Sequence, residues 1–225
     1  MQLQPYSTGR FSAHLTQSHQ AFCDVMLECC GQSRLLQAGE DLLSQGRELT
    51  HMCLVPEGRV SMNICAVNGR RFQLGELDCD WHLFGEMEFF TATSCQWSVV
   101  AEEPMEIRQL CLKKVRQMLL QQPEFTLFFA SALAWDYQDS LDIYTNRLLH
   151  PISYNIAFDL LRRQHEEVML GSCGSPDQEA ERFGTSGRVY RRAVKELIDK
   201  GLVIKQGALL KIANLQALQD FVDKA

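Results

Sequence analysis

The feature that most constrains this chain is an apolar stripe of period seven. Leu127, Ala130, Ala134, Tyr137, Leu141, Tyr144 and Leu148 follow one another at alternating three- and four-residue steps. On an α-helix this spacing aligns them along one side, as in a coiled-coil seam three heptads long. The stripe alone would serve equally well to pack the helix on its own domain. A second apolar face formed by Phe125, Phe128, Phe129, Leu133 and Trp135 changes that balance. One face can cover a neighbouring domain while the other meets a second copy of the chain, so a homodimer is expected. Pro123 suits the first position of this helix, and Pro151 ends it at His150, because the residue before a proline is pushed out of helical geometry.

The segment before the helix has a different period. From about Ser33 to Cys111 short apolar runs alternate with turn signals. Met52 to Val55 reads as a strand ending in a turn at Pro56-Glu57-Gly58, and Arg59 to Ala66 as the next strand. Asn68-Gly69, a strong two-residue hairpin signal, leads into Arg70 to Leu77. Ser98 to Ala101 and Met105 to Cys111 read as further strands, with Glu102-Glu103-Pro104 turning the chain between them. Strands recurring at spacings near ten residues imply a sandwich, barrel or roll. Leu112 to Gln122 reads as a short helix.

Beyond Pro151 the chain is helical again. Ile152 to Leu170 is expected as a helix, Gly171 to Gly174 as a loop, and Ser175-Pro176-Asp177-Gln178 as a capped helix start. That helix runs to Phe183, Gly184 stops it, and Thr185-Ser186 caps a further helix to Lys200, with Gly201 at its C-terminal stop. Two helices joined by a turn of three or four residues make a helix-turn-helix. Val189, Ala193, Leu197 and Ile198 are expected as the buried stripe of the second helix, leaving Arg188, Arg192 and Lys195 on its outer face. Leu202 to Lys205, a turn at Gln206-Gly207, and Ala208 to Ile212 form a small hairpin, a wing bearing Lys205 and Lys211.

The net charge of −6 speaks against a nucleic-acid partner only until the charges are located. Residues 151–225 carry 11 Lys plus Arg against 10 Asp plus Glu, so the acidic excess lies in residues 1–150. Between Arg188 and Lys211 seven cations face only Glu196 and Asp199. Guanidinium forks on an exposed helix face can take guanine edges or phosphates. The plainer alternative is a solvated basic helix on an ordinary helical hairpin.

This order of elements resembles the CRP/FNR superfamily of bacterial transcription regulators, over about Ser33 to Ile212. The residues that carry the resemblance are Val55-Pro56-Glu57-Gly58-Arg59-Val60, Phe84-Gly85-Glu86-Met87 and the motif from Gln178 to Leu202; the Gly-Glu-hydrophobic-Glu run is similar to that of the YeiL-type branch. The resemblance implies an α+β fold with a cyclic-nucleotide-binding-like β-roll sensor domain over 1–122, a dimerisation helix over 123–150, and a C-terminal winged helix-turn-helix DNA-binding domain over 151–225. It further implies double-stranded operator DNA, RNA polymerase and a second copy of the chain as partners. The DNA-binding set is then Ser186, Gly187, Arg188, Arg191, Arg192, Lys195, Lys205 and Lys211. Arg192 corresponds to the arginine that reaches a guanine in family members, and Gly187-Arg188 stands where they have Arg-Glu.

The candidate effector pocket, Phe84, Gly85, Glu86, Met87, Cys95 and Gln96, departs from the family pattern. Nucleotide-binding members supply an arginine to the cyclic phosphate about ten residues after the Gly-Glu pair. Here Ser94-Cys95-Gln96-Trp97-Ser98 has no cation, and no Lys or Arg occurs between Gly85 and Ala101. A buried phosphate would lack charge-assisted hydrogen bonds, and Glu86 and Glu88 would repel it. Cyclic nucleotides are therefore disfavoured, and an apolar or weakly polar ligand against Phe84, Met87, Phe89 and Phe90 is the alternative.

The chain has nine cysteines, no span of 18 apolar residues and no leader pattern, so free thiols in a cytoplasmic protein away from membranes are expected. An iron-sulfur cluster on Cys23, Cys29 and Cys30 is disfavoured, because their C-x5-C-C spacing does not match that of oxygen-sensing family members and no C-x-x-C occurs. No cofactor or metal is expected. Cys53, Cys65 and Cys111 fall within strand patterns and are expected in the core. No nucleophile elbow, Walker loop or H-E-x-x-H motif is present, which argues against an enzyme. Two rival readings are a protein-interaction module with a degenerate roll and a thiol-based redox regulator.

Overall fold

The computed structural model describes residues 1–67, 71–164, 176–207 and 209–224, and the chain divides into two compact units, residues 1–65 with 77–139 and residues 66–76 with 140–225. The hairpin signal Asn68-Gly69, the loop Gly171 to Gly174 and the cap residue Ser175 lie outside the described residues.

In the first unit, helix α1 (Ser12–Glu28) precedes strands β1 (Cys30–Leu36), β2 (Asp41–Leu43), β3 (His51–Cys65) and β4 (Arg71–Phe84). A short helix α2 (Glu86–Thr91), strands β5 (Ser98–Ala101) and β6 (Met105–Cys111), and helix α3 (Leu112–Gln121) follow. A single 3-10 turn at Pro123–Phe125 leads into α4 (Thr126–Leu149). The strands form one sheet in the order β1-β6-β3-β5-β2, with β4 paired to β3.

The turn expected at Pro56-Glu57-Gly58 is not a turn, because β3 runs through it without interruption. The sheet curls there. Residues His51 to Leu54 pair antiparallel with β6, whereas Val60 to Asn63 pair antiparallel with β5. Pro56 sits in the stretch between the residues that pair with β6 and those that pair with β5. Gly58 adopts φ +141°, and a Cβ there would meet Met105 Cε at 2.9 Å.

The core of this unit is aromatic and contributed largely by helices. Phe22 of α1 stacks on Phe128 of α4 at a centroid distance of 4.0 Å and meets Phe129 edge-on. Met52, Leu54, Leu83, Leu110 and Val115 complete the cluster. The second apolar face of α4 thus covers the roll through Phe125, Phe128 and Phe129, while Trp135 is partly exposed and stacks on Tyr6. Cys53 is buried as expected, but Cys65 and Cys111 are exposed. Strand alternation accounts for Cys111: Leu110 points inward, so its neighbour points out.

His82 is buried in this unit and accepts at Nδ1 from the Asp80 backbone N–H at 3.0 Å. Burial pushes the imidazole down to about 4. An unfolded chain with a histidine near ~6.5 then binds more protons than the native one between those two values, so stability falls as the pH drops through that window. The urea midpoint is expected to decrease from pH 7 to pH 5, and His82→Gln to flatten the dependence. A variant with the wild-type slope would contradict this.

The second unit contains the remainder of α4, then α5 (Ile152–Gln164), α6 (Pro176–Arg182), α7 (Gly187–Asp199), a hairpin of β7 (Val203–Gln206) and β8 (Leu209–Ile212), and α8 (Leu215–Asp223). Its core is Ile156, Ala157, Leu161, Ala180, Phe183, Tyr190, Ala193, Leu197, Leu202, Val203 and Leu218. The guanidinium of Arg147 lies over the rings of Phe72 and Phe183, at 5.5 and 5.7 Å.

Candidate nucleic-acid interface

The turn between α6 and α7 follows from local chemistry. Gly184 takes φ +62°, a left-handed conformation a Cβ would resist, and Thr185 N–H donates back to the Ala180 carbonyl at 2.9 Å. Ser186 is extended, and its hydroxyl oxygen accepts from Val189 N–H at 3.4 Å, capping α7. At the other end Gly201 adopts φ +69°, and the N–H of Leu202 returns to the Leu197 carbonyl at 3.0 Å.

The buried stripe of α7 is Tyr190, Ala193 and Leu197. Two residues expected in it are not: Val189 is 46% exposed and Ile198 is 38% exposed. The reason is Tyr190, whose ring stacks against Phe183 at 5.9 Å and turns the helix so that Val189 joins the outer face. Arg188, Arg192 and Lys195 are all exposed there. Arg191 is also exposed but engaged, since its Nη1 donates to Asp177 Oδ1 at 3.3 Å. Gly187 makes that pair possible. A Cβ on it would lie 2.6 Å from the same carboxylate oxygen.

The platform under α7 is held by a buried ionic fork. The Nη1 and Nη2 atoms of Arg182 donate to the two carboxylate oxygens of Asp159 at 2.7 and 2.6 Å, and its Nε and Nη2 donate to Glu179 Oε2 at 3.1 and 2.9 Å. The two carboxylates raise the guanidinium pKa further above its usual value, against the opposing effect of burial. This network ties α5 to α6, one turn of chain before α7 begins. Sequence reading overlooked it, although charged Glu179 and Arg182 flanking the buried Ala180 and Phe183 were a visible sign.

In the wing, Val203 pairs with Ile212, Ile204 with Lys211 and Lys205 with Leu210. Directly opposed residues share a face, so Lys205 and Lys211 stand on opposite faces of the hairpin, both exposed.

The candidate effector residues of the roll are brought together around α2. Phe84, Gly85, Glu86 and Cys95 are buried, Met87 is partly buried and Gln96 is exposed. Two buried carboxylates occupy this region, and both have partners. Glu86 Oε1 accepts from the Met1 ammonium at 2.9 Å, and Glu88 Oε1 accepts from Gln96 N–H at 3.3 Å. Phe90 meets Phe129 edge-on at 5.3 Å while remaining 44% exposed.

The seam residues of α4 lie open. Ala130, Ala134, Tyr137, Leu141, Tyr144 and Leu148 are exposed, Tyr137 at 65% and Leu148 at 85%, and only Leu127 is partly buried. Among the early cysteines, Cys23 contacts His19 Nε2 at 3.2 Å and Cys30 donates to the Met26 carbonyl at 3.6 Å. Among the described residues no group of three or more His, Cys, Asp or Glu side chains is placed to hold a metal ion. Nor, among them, is any helix long and apolar enough to cross a membrane.

Residues 33–122 match the family model of the cyclic nucleotide-binding domain. No curated protein matches the chain in sequence. Among solved structures, a CooA mutant from Carboxydothermus hydrogenoformans superposes with a TM-score of 0.70 at 16% identity, covering 98% of this chain and 99% of that one. The c-di-GMP-responsive global regulator CLP from Xanthomonas campestris gives 0.68 at 16% identity, covering 87% and 99%. A transcriptional regulator of the CRP/FNR family from Eubacterium rectale gives 0.67 at 14% identity, covering 90% and 94%. At such identities the likeness to these structures is one of fold. Residues 33–122 are thus a domain of the cyclic nucleotide-binding family, and the chain as a whole has the fold of the CRP/FNR transcription regulators.

Proposed function

We propose that the protein is a homodimeric, sequence-specific DNA-binding transcription regulator whose roll does not take cyclic nucleotides. The observation that carries this reading is the outer face of α7, where Arg188, Arg192 and Lys195 stand exposed on a capped helix whose opposite side is packed into the core. A protein-binding winged helix has no need of such a face, whereas bidentate guanidinium contacts to guanine need it. Arg188 and Arg192 are assigned to base edges, and Lys195, Lys205 and Lys211 to phosphates. Val189, exposed between the two arginines, adds an apolar surface of the kind that meets a thymine methyl group.

Arg192→Ala is expected to cost about 1 to 3 kcal/mol on the specific site and to relax discrimination at one base position, whereas Lys205→Ala weakens all sequences alike and lowers the salt slope by about one. Binding across a randomised operator library measures both. Uniform losses for both variants would show that α7 does not read sequence.

The second part of the proposal rests on charge. A cyclic phosphate entering beside the buried Glu88 would add an anion to a stretch that holds no Lys or Arg from Gly85 to Ala101 and in which the Met1 ammonium is already paired with Glu86. The amide of Gln96 is already engaged by the Glu88 carboxylate. Calorimetric titration with cyclic AMP and cyclic GMP is expected to show no heat above dilution up to millimolar ligand, and micromolar binding would refute the electrostatic reasoning.

A further inference from the structure

A cleft of about 180 Å³ lies in the first unit, between the segment from Tyr6 to Ser12 and the side of α4 that carries Ser131, Ala134, Trp135 and Gln138. Its aromatic wall is held in place. The ring of Tyr6 stacks on Trp135 at a centroid distance of 4.9 Å, and its hydroxyl donates to Asp136 Oδ1 at 3.3 Å. The phenol cannot turn away without losing both contacts. Leu15, a core residue, closes the cleft on another side. Phe11 and Trp135 remain 45% and 40% exposed around the same hollow. Large aromatic side chains left open around one concavity mark a binding surface.

Polar groups line the same space. Thr8, Ser12 and Ser131 contribute hydroxyls and Gln138 an amide. Among the described residues that line the cleft, Arg10 is the only charged one, and it is exposed. No acidic side chain lies in the first turn of α1, which borders the cleft at Ser12 and Leu15. The Asp136 carboxylate, engaged by Tyr6, is not part of the lining. The electrostatics therefore favour an anion, and a guanidinium fork matches a carboxylate with two parallel N–H donors. An apolar cavity of about 150 Å³ holds one benzene ring. The cleft is slightly larger, which suits a ring bearing one small charged group.

We propose that this cleft binds a small aromatic carboxylate, its ring against Phe11 and the Tyr6–Trp135 stack and its carboxylate on Arg10. The hydroxyls of Thr8, Ser12 and Ser131 and the Gln138 amide supply further donors to the same anion. A neutral aromatic of the same shape would forgo the charge-assisted contact, so the site discriminates by charge as well as by size. It lies apart from the residues around α2, and needs no cation near Cys95 or Gln96. Ala134 belongs both to the cleft and to the exposed stripe of α4, so a bound ligand ties the N-terminal segment to α4 beside the proposed dimer seam.

The test uses the full chain with para-fluorobenzoate as the probe, followed by the width of its fluorine resonance, and neutral para-fluorobenzamide as the control. The wild-type protein is expected to broaden the carboxylate and not the amide, and unlabelled benzoate should reverse the broadening. Arg10→Gln, an exposed change, should weaken binding about tenfold, the worth of one lost hydrogen bond to a charged group. An unchanged melting midpoint in that variant shows that the loss is not one of folding. Ser131→Phe, which fills the cleft from α4, should abolish the broadening. Arg59→Gln, which removes an exposed cation from β3, should leave it as in the wild type. Equal broadening of amide and carboxylate, a wild-type response in Arg10→Gln or in Ser131→Phe, or no broadening at millimolar probe would overturn the proposal.

Discussion

Changing Tyr137 and Leu141 together to Glu is expected to turn the proposed dimer into a monomer. Both side chains lie in the exposed stripe of α4, and neither belongs to the core beneath it. The variant protomer should therefore keep its fold and its unfolding midpoint. Left unpartnered, the wild-type stripe would expose a long apolar surface. Paired about a two-fold axis, it would meet its own copy, with leucine, tyrosine or alanine at each core step. Two like charges per chain in that seam remove the contact and add repulsion. Each subunit presents one α7, so loss of the dimer also loses the second half-site. Affinity for a two-half-site operator should fall by roughly 10²- to 10⁴-fold, the range in which linkage of two weak sites operates. Sedimentation and operator titration measure the two effects. A wild-type monomer at micromolar concentration, or a variant that remains dimeric, would contradict this assignment of the stripe.

Arg182→Met carries the second large effect. The Arg182 side chain is nearly inaccessible and satisfies both Asp159 and Glu179. Removing it takes from two mostly buried carboxylates the guanidinium they share, and breaking a buried ion pair by removing one partner costs about 3 to 5 kcal/mol. The second unit should melt well before the first, and DNA binding should vanish with it. Replacing all three residues by apolar ones of similar size is expected to restore most of the lost stability, because well-packed hydrophobic side chains replace buried ion pairs at little net cost. That restoration separates a charge effect from mere loss of packing. A single variant weakened by less than 1 kcal/mol would show that the fork contributes little.

What the sequence disclosed divides along physical lines. The two faces of α4, the caps at Ser186 and Gly201, and the turn at Gly184 rest on local spacing and backbone conformation, so they could be read directly. The turn expected at Pro56-Glu57-Gly58 failed because a strand that changes partners and a strand that ends use the same residues; only the pairing with β6 and then β5 distinguishes them. Val189 was assigned to the core by periodicity, but the rotation of α7 is set by Tyr190 packing on Phe183, a tertiary contact. Helices α1, α2 and α8 were not anticipated. Helix α1 lacks both an acidic first turn and a capping side chain, so it gives no terminal signal despite burying Leu15, Phe22 and Met26. The fork of Arg182 has a local arm, to Glu179 three residues back, whereas its Asp159 partner, 23 residues away, leaves no local mark.

The most direct test of the account is enrichment of a random duplex library by the purified wild-type protein, with stoichiometry measured on the selected sequence. The account predicts a pseudo-palindrome with half-sites about one helical turn apart, roughly 10 bp centre to centre, bound by two chains per duplex. Selection of an asymmetric site held by one chain, or no sequence enrichment at all, would contradict it.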